Sequence, residues 1–235
     1  MSTIAAGRVP AVRVAGLAQQ QWRWLAGGLA LAFAVPFVFA DLLTINRDVY
    51  YGIYAFAVFG LFALWLTYGV QAPRTLLLRN WRWGAVLGVA FAGVTAGIVF
   101  TEDSTAHPEG WSFAAAVVWR GVVYGAADGL LLSAFPILAV FAAFAGVKRS
   151  KKALAGIGAL ALAVSLLFTA VYHLGYPDFR GSKLRKPIAG DVVWSVPTLA
   201  TLSPAGAPLA HMGLHVTAVV HAYDTTTFLP PHAGK

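Results

Sequence analysis

Apolar residues fill this chain in long blocks separated by short polar stretches, with neither the alternation of a half-buried strand nor the narrow stripe of a soluble helix. Blocks at 24–45, 50–70, 81–100, 111–147 and 153–176 can each cross a hydrocarbon layer of about 30 Å, for which about 20 apolar residues suffice. The pattern predicts an all-α, polytopic membrane helix bundle. Pro36 places a kink in the first block. Tyr50, Tyr51, Trp65 and Tyr68 mark the ends of the second as interfacial aromatics, and Gly84, Gly88, Gly93 and Gly97 suit the third to close helix packing.

The fourth block would measure about 55 Å as one helix, so Pro136 is its expected break. It holds two formal charges, Arg120 and Asp128. Each costs roughly 2.5 to 3.5 kcal/mol at the centre of a bilayer, so the helix is expected to turn both away from lipid. In an ideal α-helix they stand about 80° apart in azimuth and about 12 Å apart in height, and each needs its own partner.

Beyond Tyr176 the texture changes. Residues 176–187 form a polar connector, in which Asp178 and Arg180 are expected to make a turn. The stretch 189–208 carries Pro197, Pro204, Pro208 and Gly206 and reads as a short or broken span, and 209–223 is a last helix bearing His211, His215 and His221. Broken helices at membrane depth are tolerated where they line a cavity, which makes this region a candidate wall of a site. In total the pattern predicts six to eight membrane segments over 24–223, after an arm at 1–23 and before a polar tail at 224–235.

Composition agrees: 59% of the 235 residues are hydrophobic and 11% charged, against about 25% charged in soluble domains. The net charge of +8 sits mainly in short loops, where it reports topology and contact with the lipid bilayer, and no aromatic-interleaved basic patch suggests nucleic acid. Arg8 and Arg13 put the amino terminus in the cytoplasm of a bacterial-type plasma membrane. The acidic loop at 101–110, with Glu102, Asp103, His107 and Glu109, then falls outside. A cleaved signal peptide ending at Val38-Phe39-Ala40 is the rival reading of the first block, but the apolar run continues past it. The basic loops at 148–152 and 180–186 cannot both lie inside if the stretch between them crosses once. Asp41 and Asp48, at the ends of the first two spans, are expected at the interface. The chain has no Cys, which removes thiolate metal sites and thiol catalysis.

His211 and His215, four residues apart, share a helix face, and His173 ends the fifth block. With Arg120 and Asp128 they are the one titratable cluster of the spans, so Arg120, Asp128, His173, His211 and His215 are the candidate catalytic residues. His173, His211 and His215 are the candidate ligands of a divalent metal such as zinc. The plainer alternative is that these imidazoles bond backbone carbonyls freed by the prolines. His107, His221 and His232 are expected at interfaces.

The order of three motifs resembles the CAAX-protease and bacteriocin-processing family of intramembrane proteases. These are Trp119-Arg120-Gly121, the run from Phe168 to His173, and the Gly/Pro-rich approach Pro204 to His211. The resemblance implies a multi-helix peptide hydrolase acting within the membrane. The family's paired glutamates would fall at Ala115 and Ala116, Thr169 stands where its second motif has Phe, and His215 replaces Asn or Asp four residues after His211. Alanine can neither take a proton nor hold a metal. The resemblance therefore implies either a non-hydrolytic binder of a membrane peptide or lipid, or an enzyme rebuilt around histidines and a metal. Two other classes remain open: a transporter or channel relaying through Arg120 and Asp128, and a haem or quinone protein with His ligands.

Overall fold

Long uninterrupted apolar runs leave the backbone one way to satisfy its own hydrogen bonds, and the chain is helical nearly throughout. A computed structural model describes residues 11–148, 150–225 and 227–230, with the side chains of 11–15 left aside; Arg8, the side chain of Arg13, and His232 lie outside the described residues. We number the helices α1 (Ala11–Val35, continued by π-helical turns over Pro36–Leu42), α2 (Arg47–Gly69), α3 (Pro73–Leu78), α4 (Trp81–Val99), α5 (Gly110–Ala143), α6 (Lys151–Leu174), α7 (Arg185–Thr201) and α8 (Gly206–His221).

Among the described residues five helices, α1, α2, α4, α5 and α6, are long and apolar enough to cross a membrane, fewer than the six to eight segments expected. The shortfall lies in α7 and α8. With 17 and 16 residues they are short for a span, and Asp191, His211 and His215 face the protein interior.

Two prolines act differently from expectation. α5 continues through Pro136, because the π-helical turn at Gly129–Ala134 immediately before it opens the backbone where the missing N–H forfeits a bond. α7 likewise continues through Pro197 and ends only at Leu202, whose φ is 52°. Side-chain hydroxyls cap that joint: Ala207 N donates to Thr198 Oγ1 at 2.9 Å, and Ser203 N to Thr201 Oγ1 at 3.2 Å.

α5 is the centre of the bundle. On one side it runs parallel to α2, matching Arg120 with Asp48, Tyr124 with Tyr51 and Asp128 with Tyr54. On the other it runs antiparallel to α8, and its glycines set the spacing. A β-carbon on Gly121, Gly125 or Gly129 would come within 2.5–2.9 Å of Val216, Met212 or Pro208. The third block uses only part of its expected glycine face. Gly84 and Gly88 seat Ser203, Gly206 and Leu209, whereas β-carbons on Gly93 and Gly97 would meet open space.

The loops sort the bundle's two ends. Gln21 Nε2 donates to the Gly69 carbonyl at one end. At the other, Arg180 pairs with Asp41, and Lys186 lies 3.4 Å from Glu102. The two basic loops therefore stand at opposite ends, and the second finds carboxylates there.

Candidate functional site

The interior of the bundle is polar where its neighbours are apolar. Asp128 projects from α5 between α2 and α8 and is 5% exposed. Its Oδ1 accepts from Tyr54 Oη at 2.7 Å, and its Oδ2 lies 3.2 Å from His215 Nε2. His211, one turn earlier on α8, is 1% exposed, with its ring 6.2 Å from that of His215 and 4.8 Å from the indole of Trp194. One ligand-type atom from each of Asp128, His211 and His215 falls within 4.8 Å of the others.

Hydrogen-bond accounting separates the histidines. His173 Nδ1 meets the Thr169 carbonyl at 2.7 Å, one turn back on α6, which matches the plainer reading for this residue. Both ring nitrogens of His211 and Nδ1 of His215 are buried without a hydrogen-bond partner among the described residues. A neutral imidazole carries one N–H and one lone pair, and burying either without a partner costs about 1–3 kcal/mol. Two nitrogen ligands and a carboxylate about 2.0–2.2 Å from a zinc ion stand about 3.4 Å apart at tetrahedral angles, close to the Asp128–His215 spacing. Two imidazoles and a carboxylate are ligand types that suit a divalent ion.

These groups form one wall of a cavity of about 500 Å³. His173, Leu132 and Trp194 complete its floor, and Glu102 and Lys186 stand at the rim. Thr227, Phe228 and Pro230, from the stretch expected to be a polar tail, also line it. Trp194 Nε1 is buried with no acceptor among the described residues.

Arg120 is the candidate that the structure sets apart. It is absent from the cavity lining and makes a bidentate pair with Asp48 through Nε and NH2, both at 2.8 Å, with its guanidinium 4.7 Å from the Tyr223 ring. Asp48 is thus the partner of a charge in a span as well as an end residue. Both α5 charges face α2, closer in azimuth than the ideal helix predicts. The intervening π-helical turn at Val117–Val123 takes more residues per turn.

Six tyrosines escaped sequence reasoning. Tyr50 and Tyr51, expected at the interface, are fully buried with Tyr54, Tyr124, Tyr172 and Tyr176. Four of them chain their hydroxyls: Tyr50 to Tyr176 at 2.5 Å, Tyr176 to Tyr172 at 2.6 Å and Tyr172 to Tyr124 at 2.7 Å. Their rings hold Tyr54 at 5.3–5.9 Å on three sides. The spacing of Tyr50 and Tyr54, one turn apart on α2, was the available signal. Of the remaining histidines, His221 Nε2 bonds the Glu102 carbonyl at 2.9 Å and His107 Nδ1 lies 2.9 Å from the Pro108 carbonyl. No family model, curated protein or solved structure matches the chain.

Proposed function

We propose that this chain is an integral membrane protein that holds a divalent metal, zinc as the reference ion, between Asp128, His211 and His215, and that its cavity receives a membrane peptide or lipid for hydrolysis. The observation that carries this reading is the buried triad within 4.8 Å whose His211 has neither nitrogen partnered. The motif order shared with the CAAX-protease and bacteriocin-processing family supports the same reading. Asp128, eight residues after Arg120, supplies a carboxylate that Ala115 and Ala116 do not.

In this site His211 and His215 donate lone pairs, and Asp128 contributes the negative charge that makes a buried cation tolerable. Tyr54 fixes one carboxylate oxygen and leaves the other for the ion. A divalent ion held there would acidify a water molecule and polarise a carbonyl. His173, in the same cavity, would take the proton from that water and return it to the leaving nitrogen or oxygen, and the indole N–H of Trp194 would donate to the carbonyl oxygen of the bound chain. The apolar remainder of the wall excludes bulk water. With the amino terminus in the cytoplasm, the rim at Glu102 and Lys186 opens on the outer side. Arg120, engaged by Asp48, is withdrawn from a transport relay.

The test is metal analysis and an absorption spectrum on protein purified in detergent. About one zinc per chain, a featureless visible spectrum, and loss of the metal in the double variant His211→Ala, His215→Ala are expected. Protein that retains no metal, and rebinds none at micromolar zinc, would overturn the reading. A haem spectrum would replace it.

A further inference from the structure

A second buried polar cluster joins α5, α6 and α7 beside the cavity, whose lining includes Leu132 but none of the cluster's own side chains. Asp191, Ser133, Ser165 and Ser195 are each 0% exposed. Ser133 Oγ donates to Asp191 Oδ1 at 2.8 Å, and Ser195 Oγ reaches the same oxygen at 3.1 Å. Ser165 Oγ stands 2.9 Å from Asp191 Oδ2, 2.8 Å from the Leu132 carbonyl and 3.0 Å from Ser195 Oγ. Thr169, one turn along α6, adds a buried hydroxyl with no hydrogen-bond partner among the described residues.

The hydrogens do not suffice. The contacts at 2.8–3.1 Å number five, and the three serines bring one proton each. Ser165 makes the deficit concrete, since its single proton cannot serve both the Leu132 carbonyl and Asp191 Oδ2, and two oxygens this close with nothing between them repel. Charge is short as well, because no ion pair among the described residues reaches Asp191. A buried carboxylate without a counter-charge is strongly unfavourable. One positive charge removes both deficits.

We propose that Asp191 and its hydroxyl cage form a monovalent-cation site, filled by a proton on Oδ2 or by a sodium ion among the carboxylate, serine and Leu132 oxygens. With the proton, Asp191 donates to Ser165, Ser165 donates to Leu132, and four of the five contacts gain a hydrogen. With sodium, the oxygens act as ligands of a hard cation. Of the ionisable groups on the helices packed on α7, Asp128, His173, His211 and His215 lie in the cavity wall, Arg120 pairs with Asp48, Tyr124 bonds Tyr172, and Glu102 after α4 pairs with Lys186 of α7 itself, while Arg82, Lys151 and Lys152 are exposed.

The experiment follows thermal unfolding of the full chain in detergent, with sodium, potassium or choline chloride as the only salt, at about pH 8 and about pH 5.5 on either side of the neutral range. If sodium fills the site, it raises Tm at the higher pH by about 3–6 °C over choline, as expected at roughly ten times Kd. If a proton fills it, Tm is indifferent to the salt and the wild type gains on acidification relative to Asp191→Asn, whose amide keeps a donor and an acceptor. Either response must vanish in Asp191→Asn. Should that variant not fold, Ser133→Ala carries the test and must at least halve the response. No difference among salts and none between wild type and variant on acidification overturns the proposal, as does a response that survives the substitutions. These readouts leave the zinc content untouched, so this site and the triad stand or fall separately.

Discussion

Arg120 and Asp128 stand on one helix and face the same neighbour, yet the protein uses them in opposite ways. Arg120 is fully engaged, with two hydrogen bonds to a carboxylate that is itself 45% exposed in its side chain, so the pair can exchange with water. Asp128 meets one phenol and one imidazole, both buried, and beside it stands a histidine with no hydrogen-bond partner among the described residues. A satisfied charge at the end of a bundle is architecture. An under-satisfied cluster facing a cavity is where a ligand gains most.

The sharpest way to break this contrast is Asp128→Asn. If the triad binds zinc with about 10 kcal/mol, loss of the anionic ligand should take about 3 kcal/mol, or roughly 100-fold in affinity. Titration with a chromophoric chelator reads the change, and an unaltered Kd would place the ion elsewhere. Next comes Gly125→Ala, whose β-carbon would press on Met212 Cα at 2.9 Å and push α8 off α5. Overpacking of this kind should cost about 1–3 kcal/mol in chemical denaturation, while Gly97→Ala, facing open space, should stay within about 0.5 kcal/mol. Tyr54→Phe keeps the ring but frees Asp128 Oδ1, and should weaken zinc by about 10-fold or more, as the loss of an orienting partner does. Arg120→Ala is the smallest effect. It should lower stability by about 1 kcal/mol, less at high salt, and leave zinc affinity unchanged. A large drop in zinc affinity in that variant would erase the distinction between the two charges.

Sequence reasoning reached the helical class and the five long apolar blocks, because the expense of polar groups among apolar ones is visible residue by residue; of the five residues it grouped, Asp128, His173, His211 and His215 line one cavity and Arg120 does not. It did not reach partners set by the depth of one helix against another. Asp48 and Tyr50 look like boundary residues on their own helix; only when α2 lies parallel to α5 does Asp48 meet Arg120 and Tyr50 become interior. The misplaced break at Pro136 has the same origin: a π-helical turn is a tertiary accommodation, and no local pattern announces it. Asp191 passed unnoticed because its partners are serines scattered over three helices, and serine carries little weight in any periodicity.

The length of α5 bears on how the protein would respond to the lipid around it. Its 34 residues, about 50 Å of helix, exceed any bilayer core, but most of the apolar stretch is enclosed by other helices. Mismatch with the surrounding leaflets would then be absorbed by the peripheral helices through tilt. The pillar bearing the carboxylate would keep its register as lipid composition and chain length vary.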